Sequence, residues 1–581
     1  QLEDSLSWVK GTHRFKFGGT WRPDYYSVNQ KVWFGGQWQF TDGAFSILNI
    51  VAITQGPDAA AALAAFNVSQ GYPAGGPAST NLSAVQSFLA GAPTVLLQAN
   101  PQSNSMWADW AHSFGSYAQD SWKVSRRLTL DYGLRFDYTH DPAPVPHNSR
   151  VSPRLGIAWS PGADQKTVIR AGAGIFSAPN IFMIPFYANL VGDSGKYINQ
   201  SALVAGLPSP PFPSIFAAWQ LAMSKATVAQ PNPPLTNADF ASLGAIIGPP
   251  GPAAFGNSIF TMAPDFKPAY TVQASFSIAR QFAANWSLEA AYLMYRSVHV
   301  EQILETNFVR NPLAPVDPFA GPQYIPKPGF TAGEPNFSIF QNNAFSSSGN
   351  GIYNGGTLSL TRRFDHGLQL QVNYTLSRAI DDTSDFSSLS TPFRPDLLNL
   401  DRALSDFNIT HNFVANAVYT LPFHAAGGGL LSRALGGLTI SPIFYARSGV
   451  PFTALAPGLS NGTIGHNANA RPWYEGRNDG VGPRFISWDL RVSKNFVIAE
   501  QRRIEVIAQA QNLLNRVNFA SVNSNFPADP NFPLPGGGTL ANGPYNLQGF
   551  APTSVGQLSE PLSFTSAYPP RQISLALRFV F

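Results

Sequence analysis

Several groups of residues in this sequence have side chains that could do chemistry. Gly192-Asp193-Ser194-Gly195 copies part of the surroundings of a serine-protease nucleophile. A working serine needs a placed His, an Asp and an oxyanion hole, and no neighbouring motif supplies them, so Gly and Asp turn chemistry favours a surface turn. Asp381, Asp382 and Asp385 could offer oxygen ligands to Ca²⁺. The Gly and terminal Glu of an EF-hand loop are missing, which favours a solvated loop. None of the nine histidines forms a close His-x-x-x-His pair, and His411 reads as an ordinary polar strand residue. Gly427 to Gly429 lack the strand-to-helix context of a phosphate loop. Cysteine is absent, which removes disulfides and thiolate metal sites. These residues predict neither a catalytic centre nor a cofactor.

The composition shows what kind of scaffold must hold them. Only 12% of the 581 residues are charged, against about a quarter in an ordinary soluble protein. The net charge of +4 implies no nucleic-acid partner. Gly 50 and Pro 49 predict many turns and long loops, and the 13% of aromatic residues favours strands and membrane interfaces. No run approaches the roughly 18 apolar residues of a membrane-crossing helix. If the chain crosses a membrane, it does so with strands. The opening Gln-Leu-Glu-Asp lacks the features of a secretory signal, so the numbering is expected to start inside a longer protein.

Strands appear as a period of 2. Leu368, Leu370, Val372, Tyr374 and Leu376 alternate with Gln369, Gln371, Asn373, Thr375 and Ser377. The same split runs from Leu128 to Tyr138 and from Gln572 to Phe581. Further strands are expected near Asp4, His13, Val32, Phe114, Arg154, Thr167, Thr271, Trp286, Tyr353, Asn412, Leu438, Ile486 and Ile504, which makes about sixteen. The expected fold is all-β, an antiparallel meander forming a transmembrane barrel.

The links between these strands alternate short and long. Short ones include Lys10 to Thr12, Lys123 to Arg126, Ala283 to Asn285 and Asp365 to His366; long outer loops are expected over 42–111, 180–269, 301–351 and 520–571. Tight turns on one rim and large loops on the other are the pattern of outer-membrane barrels. Aromatics such as Trp122, Trp159, Trp286 and Phe496 gather near the short turns, as a girdle at a lipid boundary would. The alternation then predicts a lipid-facing apolar side and a wet interior. Arg135, Arg154, Arg170, Glu289, Asp489, Arg491 and Glu505 fall on the interior side, where they are expected to pair with one another or hold a plug. Short helices are expected from Pro57 to Phe66 and from Ser79 to Leu89, with packing among loops as their favoured role.

Blocks of sequence then bring in a family. SYAQDSWKVSRRLTLDYGLRFDY (Ser116 to Tyr138), PRLGIAWSP (Pro153 to Pro161), VNYTLSRAIDD (Val372 to Asp382), SDFNITHNFVANAVYTLPF (Ser405 to Phe423), WDLRVSKNF (Trp488 to Phe496), NLLNRVNF (Asn512 to Phe519) and RQISLALRFVF (Arg571 to Phe581) resemble the Oar-like TonB-dependent receptors of acidobacteria. The blocks run almost the whole chain in the family's order. The resemblance implies the outer membrane of a Gram-negative bacterium and passage of an unidentified extracellular ligand, driven by TonB-ExbB-ExbD through an N-terminal plug. It implies no enzyme activity, and it implies that the barrel-assembly machinery recognises the C-terminal aromatics, Phe579 and Phe581. Such transporters have about 22 strands, so sixteen predicts a fragment lacking the plug, the carboxypeptidase-regulatory-like domain and roughly six strands. Unpaired edges are then expected near Asp4 and along Arg571 to Phe581. A passive porin or secretion pore would share the barrel pattern. A soluble glycan-binding β protein would need charged outer faces.

Overall fold

The computed structural model describes residues 1–29, 36–40, 45–99, 105–178, 181–190, 200–204, 215–243, 257–317, 321–326, 339–384, 392, 394, 396–423, 429, 434–456, 471–473, 475–499, 502–526 and 563–581. Fifteen long strands form one sheet, joined by two short segments. In chain order they are β1 (Leu2–Lys10), β2 (His13–Asn29), β3 (Met106–Ser125), β4 (Leu128–His140) and β5 (Asn148–Trp159). Then come β6 (Thr167–Ser177), β7 (Tyr270–Ala283), β8 (Trp286–Glu305), β9 (Ile339–Asp365) and β10 (Leu368–Asp381). The last five are β11 (His411–Thr420), β12 (Leu438–Arg447), β13 (Phe485–Ala499), β14 (Arg502–Gln511) and β15 (Gln572–Val580). Each pairs antiparallel with its sequence neighbour, as the short links require. One short segment, Asn257–Met262, departs from the meander and runs parallel to the start of β9. Among the described residues no helix is long and apolar enough to cross a membrane.

Fifteen of the sixteen expected strands are therefore in the wall. The sixteenth, near Val32, lies outside the described residues, and the strand that follows it, Gln37–Gln39, belongs to a separate three-stranded sheet. The short links show why the register is firm. Between β9 and β10, His366 and Gly367 take φ of 48° and 78°, the two left-handed residues that a tight hairpin needs. A Cβ on Gly367 would stand 2.3 Å from the Thr420 carbonyl oxygen, so this link admits glycine alone.

Continuous register carries two faces across the sheet. One row passes through Phe15, Asp120, Tyr132, Leu155, Ala173 and Ala274. On β15 the same face shows Ile573, Leu575, Leu577 and Phe579. Large apolar side chains stand open on it: Leu134 is 57% exposed, Leu155 62% and Leu575 79%. An apolar surface of this extent is stable only against hydrocarbon, which fits the outer membrane and excludes a solvated β protein. The other face is polar, with Gln371 opposite Thr361 and Asn416, and Arg491 opposite Ser441 and Gln509. Among the described residues β1 pairs only with β2 and β15 only with β14, so both expected edges are unpaired and the sheet is not closed.

The links at the long-link rim are folded. The β2–β3 link holds helices α1 (Ile47–Gln55), α2 (Pro57–Ser69) and α3 (Ala84–Leu89), matching the expected helices and adding one. Ser46 with Asn49 and Ser83 with Gln86 form capping boxes, and Pro57 opens α2, all local start signals. The β6–β7 link holds α4 (Met183–Leu190), α5 (Ile215–Ser224) and α6 (Asn237–Ser242). Three boundaries differ from expectation: β8 runs on to Glu305 and β9 begins at Ile339, so paired strands enter the 301–351 region from both sides, and β3 already begins at Met106. The extensions are held by ladder pairs such as Ile303 with Phe345 and by burial of both side chains.

Candidate functional site on the polar face and its long-link rim

All seven charged residues predicted for the interior share the polar face. Arg135 pairs with Tyr117 and Ser152, Arg154 with Gly133 and Gly174, and Arg170 with Ala158 and Ser277. Glu289 stands opposite Ala279 and Ser359, Asp489 opposite Ile443, and Glu505 opposite Asn495 and Arg578. Only part of the set pairs internally: Arg491 reaches Glu505 at 3.4 Å. Arg135 instead donates to Asp137 at 2.7 Å, and Arg154 lies 4.4 Å from the Phe176 ring centre. Asp489 accepts from Ser487 Oγ at 2.8 Å and from the Asn512 backbone N–H at 2.9 Å. Arg135 lies flat because Gly115 gives it room; a Cβ there would meet the guanidinium at 2.2 Å.

A buried carboxylate breaks the face rule. Asp120 shares the apolar face with Phe15 and Tyr132 and is 5% exposed. Its Oδ2 meets His13 Nδ1 at 2.6 Å and accepts from Tyr132 Oη at 2.8 Å, which compensates part of the cost of leaving water. The sequence carried the signal, since Asp120 has the parity of Phe114, Ala118 and Trp122.

At the long-link rim two constructions sit over the sheet. The first is apolar. Trp107, Ile184, Phe186, Phe260, Ile303 and Phe345 form a buried core against Tyr26 and Val28. Since Tyr26, Val28 and Trp107 belong to the polar face, α4 packs over the end of that face. A second core joins Leu96 of the β2–β3 link, with Ile50 of α1 packed against it, to Ile215, Ala218 and Leu235 of the β6–β7 link.

The second construction is ionic and was not foreseen. Arg471 Nη1 meets Asp401 Oδ1 at 2.6 Å, and its other nitrogens donate to the carbonyls of Leu400 and Glu475. Arg477 Nη2 donates to Asp381 Oδ1 and Ser384 Oγ, each at 2.6 Å, while its Nη1 donates to the Asp381 and Asp401 carbonyls. Arg394 lies 4.6 Å from the Trp473 ring centre, and Gly321 comes so close that a Cβ would stand 2.6 Å from that ring. Tyr324 Oη donates to Asp396. The links after β8, β10 and β12 thus meet at one junction. Burial, with Arg471 adding, lowers Arg394 to about 10. Burial, with Asp479 adding and Arg471 opposing, pushes Glu475 up to about 8. Burial and the Asp396 contact raise the Tyr324 hydroxyl.

This junction also answers the calcium expectation. Asp381 holds Arg477, and Asp382 accepts from Arg402 Nη1 at 2.9 Å and from the Asn350 backbone N–H at 2.8 Å. Guanidinium groups thus engage both carboxylates. Among the described residues no His, Asp and Glu cluster has the geometry of a metal site. Asp385, the Gly192–Gly195 segment, Gly427 and Gly428 lie outside the described residues. His411 accepts or donates through Nδ1 to Tyr374 Oη at 2.8 Å, as a polar strand residue. Phe579 stands exposed on the apolar face and Phe581 follows the end of β15.

Comparison with known proteins fits this geometry. The fold is similar to the outer membrane transporter YddB from Escherichia coli, at 10% identity over 99% of this chain and 53% of that one, with a TM-score of 0.51. The siderophore receptor PirA from Acinetobacter baumannii aligns at 12% identity over 100% of this chain and 54% of that one, with a TM-score of 0.46. The chain therefore spans about half the length of each. No curated protein matches the sequence. The family described as outer membrane beta barrel domain matches residues 1–149, 143–476 and 474–548. An antiparallel sheet with one hydrocarbon-compatible face, rim-sorted links and this match make the chain a member of the outer membrane beta barrel domain family.

Proposed function

We propose that the chain is the wall of an Oar-like TonB-dependent receptor and transporter, which carries an unidentified extracellular ligand along the polar face. The observation that carries this reading is the folded cover over the long-link rim: α4 packs across the end of the polar face, which suits a ligand-gated passage better than a permanently open pore. In this reading the long links over 42–111, 180–269, 301–351 and 520–571 face outside. The polar face lines the lumen, and Arg135, Arg154, Arg170, Glu289, Asp489, Arg491 and Glu505 pair with one another or hold a plug. TonB-ExbB-ExbD supplies the energy through that plug. Phe579 and Phe581 serve recognition by the barrel-assembly machinery. No enzymatic step is part of the proposal.

The test uses the full open reading frame, expressed in Gram-negative cells with and without TonB. Ligand accumulation that needs TonB, with low permeation of a small hydrophilic dye in both strains, is the expected result. Dye flux that is high and equal in both strains would replace this reading with a passive pore. Cysteines at Gln371 and Leu370 test the face assignment, since only the former should react with a water-soluble maleimide.

A further inference from the structure

Several basic side chains stand where the alternation predicts apolar ones: Arg296 and Arg378 toward the long-link rim, and Lys10, Arg280, Arg362 and Lys494 toward the other. Register sets Lys10 opposite His13, Arg280 opposite Thr167 and Leu288, Arg362 opposite Trp286 and Leu370, and Lys494 opposite Leu438 and Val506. All four are on the apolar face, and all four are at the short-link rim. Aromatic rings back three of them: Lys10 Nζ lies 5.6 Å from the Trp8 ring centre, Arg362 Cζ 5.5 Å from Trp286, and Lys494 Nζ 5.3 Å from Phe496. Arg280 Nη1 donates to Thr167 Oγ1 at 2.8 Å. Among the described residues no carboxylate oxygen comes within 4.0 Å of Lys10, Arg280 or Arg362.

A cation on a hydrocarbon-facing surface is costly unless its head reaches the interface and finds an anion. Here the ring contacts hold the heads at the depth of the aromatic girdle, where headgroups lie. The geometry is best built around β8: Arg362 on β9 stands beside Trp286 and Arg280 on β7 beside Leu288, two residues further along β8, so the two arginines are two strand spacings and two residues apart, roughly 12 Å. Phe282 stacks on Trp286 at 6.2 Å and closes the apolar floor between them. The neighbouring turns add Lys166 and Arg363, while the acids there are already engaged, Asp365 with His366 and Asp164 with the Lys166 backbone N–H.

We propose that Arg280, Trp286 and Arg362 form a binding site for the headgroup of an anionic phospholipid. The two guanidinium groups take the phosphate oxygens and the indole takes the upper acyl chain. Short turns of outer-membrane barrels lie on the periplasmic side, which fixes phospholipid as the source of the phosphate. The inference rests on the outer-membrane placement and is independent of the transport reading.

The full chain, purified in detergent and stripped of lipid, is titrated with phosphatidylglycerol, phosphatidylcholine or lipid A, and bound lipid is counted by native mass spectrometry. Phosphatidylglycerol should be retained over phosphatidylcholine, with a preference that fades in high salt. The Arg280→Gln, Arg362→Gln double variant should lose that preference by roughly 25-fold, about five-fold for each charge. The corresponding Lys variants should keep most of it, and Arg503→Gln, on the polar face, should change nothing. Equal retention of the two phospholipids by the unsubstituted chain overturns the proposal, as does unchanged retention in a Gln variant with a native circular dichroism spectrum. A stronger response to lipid A than to phosphatidylglycerol overturns the choice of phospholipid. Should the Gln variant misfold, the salt-reversible preference of the unsubstituted chain still decides.

Discussion

The long-link rim is held by two different kinds of physics. Around α4 and β3 the links are joined by apolar burial, with Trp107, Ile184 and Phe186 each 2% exposed. Around Trp473 they are joined by arginines, with Arg471 and Asp401 nearly as deep, at 7% and 9% side-chain exposure. Apolar packing answers weakly to pH and salt, whereas a buried ion pair depends on the protonation and presence of both partners. The difference teaches where the rim can change state. The apolar part is suited to staying put, and the ionic part can be biased by a proton or a competing charge. The two parts approach each other along the β8–β9 connection, where Ile303 of β8 and Phe345 of β9 enter the apolar core while Tyr324 of the link reaches Asp396.

The largest effect expected from breaking this contrast is at Trp107. Its replacement by Ala removes the ring that Tyr26 and Phe182 pack against and should cost about 3–5 kcal/mol of local stability. Hydrogen exchange over 183–190 should accelerate with the same increment at pH 6 and pH 9. A pH-dependent increment would show that the apolar part is coupled to the ionic one. Next comes Arg471→Ala, which leaves Asp401 buried and unpaired and should cost about 3 kcal/mol. Limited proteolysis should then cut within 380–407 while α4 stays protected.

The wall was legible in the sequence because one residue of shift exchanges every side chain between faces. Leu370 and Gln371 needed no partner to reveal where they point. The helices of the β2–β3 link were legible for a local reason too, as the alanine- and leucine-containing stretches Pro57 to Phe66 and Ser79 to Leu89. How the link packs was not, because Leu96 and Ile215 meet across more than a hundred residues of chain without a shared pattern. The ionic junction escaped for the same reason: Arg471 and Arg477 find Asp401 and Asp381 across different links. A hint existed, since a chain with 12% charge places Arg471, Glu475, Arg477 and Asp479 within nine residues. Asp120 was hidden differently. The surrounding strand alternates imperfectly, so its parity with Phe114 and Trp122 was a weak signal, and register with Phe15 and Tyr132 fixes its face.

A smaller and more diagnostic effect is expected from protons. Glu475 is buried with Asp479 beside it and titrates at about 8 in the folded junction, well above the ordinary glutamate range. A raised folded pKa means that the folded state holds the proton more tightly. Its stabilising contribution is full below the ordinary range and is lost as pH rises toward and through about 8. Hydrogen exchange in 471–484 should therefore quicken between pH 6 and pH 9, and Glu475→Gln should flatten that profile. A profile of unchanged slope in the variant would remove Glu475 from the account.

The smallest expected effect tests where the ionic junction ends. Arg310 Nε stands 3.8 Å from Asp396 Oδ2, with both side chains more than two-fifths exposed. Water screens such a pair, and ordering two long side chains offsets much of the remaining attraction. Arg310→Ala should thus change stability by less than about 0.5 kcal/mol, within the noise of most thermal scans. Tyr324→Phe should cost more, about 1 kcal/mol, because that ring is 4% exposed and its hydroxyl loses Asp396. A double-mutant cycle on the two positions checks the boundary directly. If the cycle gives no coupling, Asp396 faces solvent on its Arg310 side and the buried junction stops at Tyr324. A coupling above about 1 kcal/mol would mean that Arg310 helps hold Asp396 in place for the tyrosine, and the ionic region would then extend through the Phe308–Arg310 strand toward the apolar core.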